Sequence, residues 1–132
     1  MVRRFATPEG TKSYRQKYGA LHYKELNRTG LLVSQAGFGC YRLNLNSSEH
    51  EKSLGKSLLA GVNLIDTSSN YGDGGSERLV GSVLQHLISS GDISRESVVV
   101  VSKVGYLQGQ NYKLSQERKL QKIPFKELVL YA

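Results

Sequence analysis

The 132-residue sequence has no tryptophan, a single cysteine at Cys40, two prolines and one methionine, Met1. One cysteine cannot close an internal disulfide, which excludes the stapled scaffolds of small secreted proteins and suits a reducing compartment. No apolar run approaches the roughly 20 residues needed to span a bilayer, and Met1-Val2-Arg3-Arg4-Phe5 lacks the apolar core of a secretory signal. No membrane role is therefore expected, and a cytoplasmic location is. His22, His50 and His86 stand alone, with no second ligand at a metal-binding spacing. No metal site is expected.

Acidic residues are few, 11 against 18 Lys and Arg, for a net charge of +7. Residues 1–24 hold six Lys/Arg against one Glu, residues 103–132 hold six against two, and residues 25–102 hold six against eight acids. A nucleic-acid-binding domain carries its basic stripe on the structured face. Here the charge sits in the flanks and reads as solvated tails, so no nucleic-acid partner is expected.

What is present alternates strand-like and helix-like segments. Residues 1–21 are polar and basic, with Pro8, Glu9 and Gly10 breaking any periodicity, and are expected to form a disordered extension ahead of a domain over 22–132. Ser48-Glu49-His50-Glu51 reads as a capping box opening a helix with Leu54, Leu58 and Leu59 on one face, stopped by Gly61. Val62 to Ile65 suits a strand buried on both faces. Ser76 is expected to cap a second helix, made amphipathic by Leu79, Val80, Val83, Leu84, Leu87 and Ile88 and stopped by Gly91. Val98 to Val101, four β-branched residues in a row, suits a central parallel strand. The order strand, helix, strand signals parallel βαβ units and an α/β fold. Residues 104–122 are polar and Gln/Lys-rich and are expected over the mouth of any site at the strand ends; Ile123 to Ala132 begins like a helix with Pro124 in its first turn.

Three residues carry chemistry. Asp66 closes the Val62–Ile65 run, Tyr71 follows five residues later, and Lys103 lies just beyond Val98–Val101. Parallel strands of a barrel bring such residues together at its C-terminal face. A carbonyl reduced by hydride must also gain a proton on oxygen, and a phenol, with a reference pKa of about 10, donates poorly unless a neighbouring cation favours its phenolate. Lys103 can supply that cation, and Asp66 can hold it charged and oriented. Gly37-Phe38-Gly39 lacks the third glycine of a dinucleotide fingerprint, so no Rossmann domain is expected.

These residues resemble the aldo-keto reductase family. The likeness rests on Gly61-Val62-Asn63-x-x-Asp66-Thr67, the Asp66-x-x-x-x-Tyr71-Gly72 spacing, Ser76-Glu77 at the next helix, and Ser102-Lys103 after the third strand. It extends upstream through Tyr23–Ser34, similar to the hairpin that plugs the barrel bottom in that family, and Gln35–Tyr41, similar to its first strand and loop. The resemblance implies the N-terminal part of a (β/α)8 TIM barrel with an N-terminal β-hairpin, about three of the eight βα units being present. It implies an oxidoreductase that interconverts a small-molecule carbonyl and alcohol with NADP(H), NAD(H) being possible. Asp66, Tyr71 and Lys103 take the catalytic roles, and the nicotinamide is expected near Gly39, Cys40, Tyr41 and Asp66. The family's fourth catalytic residue, a His after the next strand, has no counterpart here, and the loop Gly72-Asp73-Gly74-Gly75 is longer than usual. A whole barrel takes about 250 residues, so this chain is expected to be a truncated, inactive N-terminal piece. The alternatives are a cofactor-binding regulatory or interaction subunit of the same fold, or a non-functional truncated product.

Overall fold

The computed structural model describes residues 5–122; the expected helix start at Ile123-Pro124 lies outside them. Strands β1 (Tyr23–Glu25) and β2 (Leu32–Ser34) pair antiparallel, Tyr23 opposite Ser34, across a 3-10 turn at Asn27–Thr29. Three further strands, β3 (Phe38–Gly39), β4 (Leu64–Asp66) and β5 (Val99–Val101), form a parallel sheet in the order β3-β4-β5. Its register sets Gly39 beside Asp66 and Asp66 beside Val101. Helix α2 (Ser48–Leu59) connects β3 to β4, and α3 (Gly75–Ser89) connects β4 to β5. This is an α/β fold with two parallel crossovers.

One core lies between sheet and helices. Leu54 and Leu58 of α2, Leu79, Val80, Val83, Leu84 and Leu87 of α3, Ile65 of β4, and Val98 are all buried together. Ile65 faces the helices, whereas its neighbours Leu64 and Asp66, on the opposite face by strand alternation, are only partly buried. The expectation that this strand is buried on both faces is thus corrected for the described residues. The valine run likewise ends at an edge, where Val101 is exposed.

The expectation of a disordered extension over residues 1–21 is corrected for its central part: Pro8–Lys17 is a helix, α1. The Thr7 side chain accepts from the Gly10 amide, and Pro8 stands in the first turn, where its missing N–H costs nothing. Thr11 and Tyr14 are buried, and the Tyr14 hydroxyl lies between the Leu58 and Val62 carbonyls at the end of α2. Gly10 lets α1 approach the 3-10 turn Arg95–Ser97, since a Cβ there would fall 2.5 Å from the Glu96 carbonyl oxygen.

Helix boundaries shift by small amounts from expectation. The cap of α2 is Ser47, accepting from the His50 amide, rather than Ser48. Helix α3 starts after Gly74, which is left-handed at φ 81°, and Ser76 sits inside its first turn. After β5 the chain forms α4 (Gly109–Leu120), which buries none of its residues.

Candidate active site

The C-terminal ends of β3, β4 and β5 meet at one rim, and β4 supplies its acid there. Asp66 is the last residue of β4, and Lys103 follows β5 by two residues. The Lys103 ammonium donates to Asp66 Oδ1 at 2.6 Å and to the Thr67 carbonyl at 2.8 Å. Both side chains remain about half exposed, 45% and 50%. The bond to Asp66 raises the Lys103 pKa above the usual lysine value; partial desolvation opposes this, and the Tyr71 hydroxyl adds to the rise. Lys103 is therefore held as a cation.

Tyr71 reaches the same rim from the loop after β4, its amide bonded to the Ser68 carbonyl. Its ring lies 4.8 Å from the Lys103 ammonium and packs edge-to-face on Tyr41, with centroids 5.1 Å apart. Tyr41 itself is 70% exposed. A cleft of about 540 Å³ opens here, lined by Tyr41, Ser68, Asn70, Tyr71, Lys103 and Tyr106. The segment after β5 does border it, as expected: the Asn70 side-chain amide donates to the Tyr106 carbonyl at 2.6 Å. A phenol and an ammonium in one open cleft, the ammonium held from behind by a carboxylate, can pass a proton to a bound oxygen and hold the charge that results.

Among the residues expected near a nicotinamide, Gly39, Tyr41 and Asp66 reach the rim. A Cβ at Gly39 would meet nothing within 4 Å, so its strand end leaves room for a flat ring. Cys40 does not reach it. The residue is fully buried, and burial, followed by the Asp66 charge, pushes its thiol up to about 11 against the opposing pull of Ser76 and Lys103. Its side chain belongs to the core, so only the backbone of Cys40 stands at the strand end where the nicotinamide is expected.

Other roles were not readable from residue type. Ser76 is a buried bridge, its hydroxyl 2.9 Å from Thr67 Oγ1 and 3.0 Å from the Cys40 carbonyl, and it locks α3 onto the ends of β3 and β4. The Thr67 carbonyl acts on Lys103 through backbone alone. His50 serves locally, its Nδ1 accepting from the Asn44 amide. Among the described residues no three His, Cys, Asp or Glu side chains gather as a metal site, and no helix is long and apolar enough to cross a membrane.

Comparison with known proteins points to one family. A model of the aldo/keto reductase family matches residues 36–124. The 4-dihydromethyl-trisporate dehydrogenase of Mucor mucedo is 30% identical over 82 residues, covering 62% of this chain and 24% of that enzyme. The holo form of an aldo-keto reductase from Bacillus halodurans superposes with a TM-score of 0.57 at 25% identity, covering 75% of this chain and 34% of that one. A thermostable aldo-keto reductase in complex with the inhibitor epalrestat gives 0.54 at 29% identity, with 77% and 38% covered. The chain thus matches between about a quarter and two-fifths of the length of these relatives. It belongs to the aldo/keto reductase family of oxidoreductases.

Proposed function

We propose that the chain carries the proton-handling part of a site that interconverts a small-molecule carbonyl and its alcohol with NADP(H), or with NAD(H). The observation that carries this reading is the Lys103 ammonium, bonded to Asp66 and to the Thr67 carbonyl and lying against the Tyr71 ring in an open cleft. The matched Mucor protein is by name a dehydrogenase, and the Bacillus structure is a holo form. Both descriptions agree with the reading.

The residues present suit the nicotinamide end of the cofactor. Open space at Gly39 and the exposed Tyr41 ring give a flat ring somewhere to lie beside Asp66. Lys103 is the one charged side chain lining the cleft, and Asp66 already pairs with it, so no spare cation there is left for the cofactor's phosphates.

When bound, the nicotinamide supplies or takes the hydride. The chain's own part is the proton. In reduction the Tyr71 hydroxyl gives its proton to the substrate oxygen, and in oxidation it takes one back. Lys103 stabilises the phenolate left after transfer, and Asp66 keeps the ammonium in place. Tyr41 packs edge-to-face against the Tyr71 ring.

The test is NADPH consumption with a panel of aromatic and aliphatic aldehydes by a barrel in which this chain is completed with the remaining strands of a family relative, comparing the wild-type sequence with Lys103→Met and Tyr71→Phe. A loss of at least about 100-fold in turnover with cofactor affinity nearly unchanged is expected, since general-acid catalysis contributes about 10²–10⁴. Variants within tenfold of wild type in that completed barrel would overturn the assignment.

A further inference from the structure

A second cavity, of about 470 Å³, opens beside the reaction cleft and shares Tyr41 and Gly72 with it. It lies between the loop after β3 and the first turn of α3, and its charged lining residues are both cationic, Arg42 and Arg78. Neither guanidinium has a carboxylate partner, because the Lys103–Asp66 pair is the one ion pair among the described residues. Arg78 is steadied by donating to the Asp73 carbonyl at 3.3 Å. Of the nearby carboxylates, Glu77 accepts from the Ser102 hydroxyl at 2.5 Å, and that of Asp73 lies beside Gly109. The N-terminal turn of the 15-residue helix α3 adds the positive end of its dipole through Gly75. Two unpaired guanidinium groups at the wall of a cavity next to the proton donor are suited to a planar anion, which an arginine fork grips through two parallel hydrogen bonds.

We propose that this cavity is the anion subsite of the substrate, so that the preferred carbonyl compounds carry a carboxylate held by Arg42 and Arg78 while the carbonyl lies against Tyr71. The proposal rests on the reading of Tyr71 as proton donor and names the substrate class for that site. The same cations could instead meet a cofactor phosphate, and the experiment separates the two sources.

The rates for 4-carboxybenzaldehyde and its neutral methyl ester are measured in the same completed barrel with the wild-type sequence, the double variant Arg42→Gln/Arg78→Gln, and Lys52→Gln as a control of equal sign, exposed on α2 in a separate groove against α3. In parallel, saturation-transfer NMR follows binding of benzoate against benzamide, and fluorescence follows the affinity for NADPH. The wild type is expected to favour the carboxylate at least tenfold in kcat/KM; the double variant should lose that preference and benzoate binding, and Lys52→Gln should keep both. Equal rates on the two aldehydes, a preference that survives in the double variant, or a double variant that loses NADPH affinity instead would overturn the subsite. Benzoate binding that disappears in the double variant, in a chain with no turnover on any aldehyde, would support the subsite while removing the oxidoreductase reading. Turnover without carboxylate preference would do the reverse.

Discussion

Asn63, just before β4, and Asp66, its last residue, lie three residues apart in opposite surroundings. At the entry end Asn63 is fully buried and every polar atom it carries is used: Oδ1 accepts from the Ser34 amide at 2.8 Å, and Nδ2 donates to the Leu32 and Ser97 carbonyls at 2.9 and 3.0 Å. Its backbone amide donates to Ser34 Oγ and its carbonyl accepts from the Val99 amide. One side chain thereby ties the hairpin strand β2 and the turn before β5 to the sheet. At the exit end Asp66 is half exposed and has one ionic partner, Lys103, which lines the cleft. In a parallel barrel the entry face serves stability and the exit face serves chemistry. The short motif from Asn63 to Asp66 thus joins a buried, fully bonded amide to a carboxylate open to solvent.

The comparison breaks most easily at Asn63. Asn63→Ala leaves the Ser34 amide and the Leu32 and Ser97 carbonyls without their partner, and unmet buried groups cost about 1–3 kcal/mol each before water relieves any of them. A loss of about 3–4 kcal/mol is expected in urea unfolding at neutral pH. A loss under about 1 kcal/mol would mean that water enters this end of the strand, and the contrast with Asp66 would then collapse.

A second prediction uses Cys40, whose amide donates to the Asp66 carbonyl but whose thiol lies in the core. Burial pushes that thiol up to about 11, whereas an unfolded cysteine titrates near 8.5. Below that unfolded value both states bind the proton and the contribution is fully present. As pH rises from about 8.5 to 11 the unfolded chain loses its proton first, so stability falls, by on the order of 2 kcal/mol. The raised pKa of buried Tyr14 acts in the same direction at still higher pH. Chemical denaturation at pH 8 and 10.5 should show a steeper decline in wild type than in Cys40→Ala. Equal declines would place the thiol in contact with solvent and return Cys40 to the rim.

Smaller again is Tyr14→Phe, which removes the hydroxyl between the Leu58 and Val62 carbonyls while keeping the ring. It should cost about 1–2 kcal/mol and loosen α1, read as faster hydrogen exchange over Thr11–Tyr18. Unchanged exchange there would show that ring packing alone holds the helix to the entry side.

How far the sequence could be read follows the same division. That Asp66, Tyr71 and Lys103 gather was legible because they are chemically distinctive, their spacing from strand-like runs is short, and both features resemble a known family. The parallel βα alternation was legible from Val62–Ile65, the α3 leucines and the valine run. Helix α1 was not, because Pro8 and Gly10 read as breakers when scanned as a pattern. Pro8 in fact occupies the turn where its lost donor is harmless, and Gly10 is needed for contact with Glu96, 86 positions away in sequence. Ser76 was misread as a cap because serine before a helix usually caps it; only the fold reveals Thr67 and the Cys40 carbonyl beside it. Helix α4 offered no apolar periodicity to detect, and accordingly none of its residues is buried.

The smallest expected effect on stability is at Asp66 itself. An exposed ion pair contributes little to folding, since solvent screens it and both side chains give up freedom to form it. Asp66→Asn should therefore leave Tm within about 2 °C of wild type, in contrast to Asn63→Ala three residues earlier. What must change is the state of Lys103. Its pKa is raised chiefly by the bond to Asp66, so its stabilising share is complete below the unfolded lysine value and fades as pH rises through the higher folded one. Loss of the carboxylate should lower that folded value, which heteronuclear NMR of the Lys103 Cε–Nζ group can follow through alkaline pH. A titration that moves down in Asp66→Asn while Tm stays put would separate charge-holding from fold-holding along a single strand. A titration that does not move would show that the Thr67 carbonyl and Tyr71 suffice to hold the ammonium, and Asp66 would then need another role at the rim.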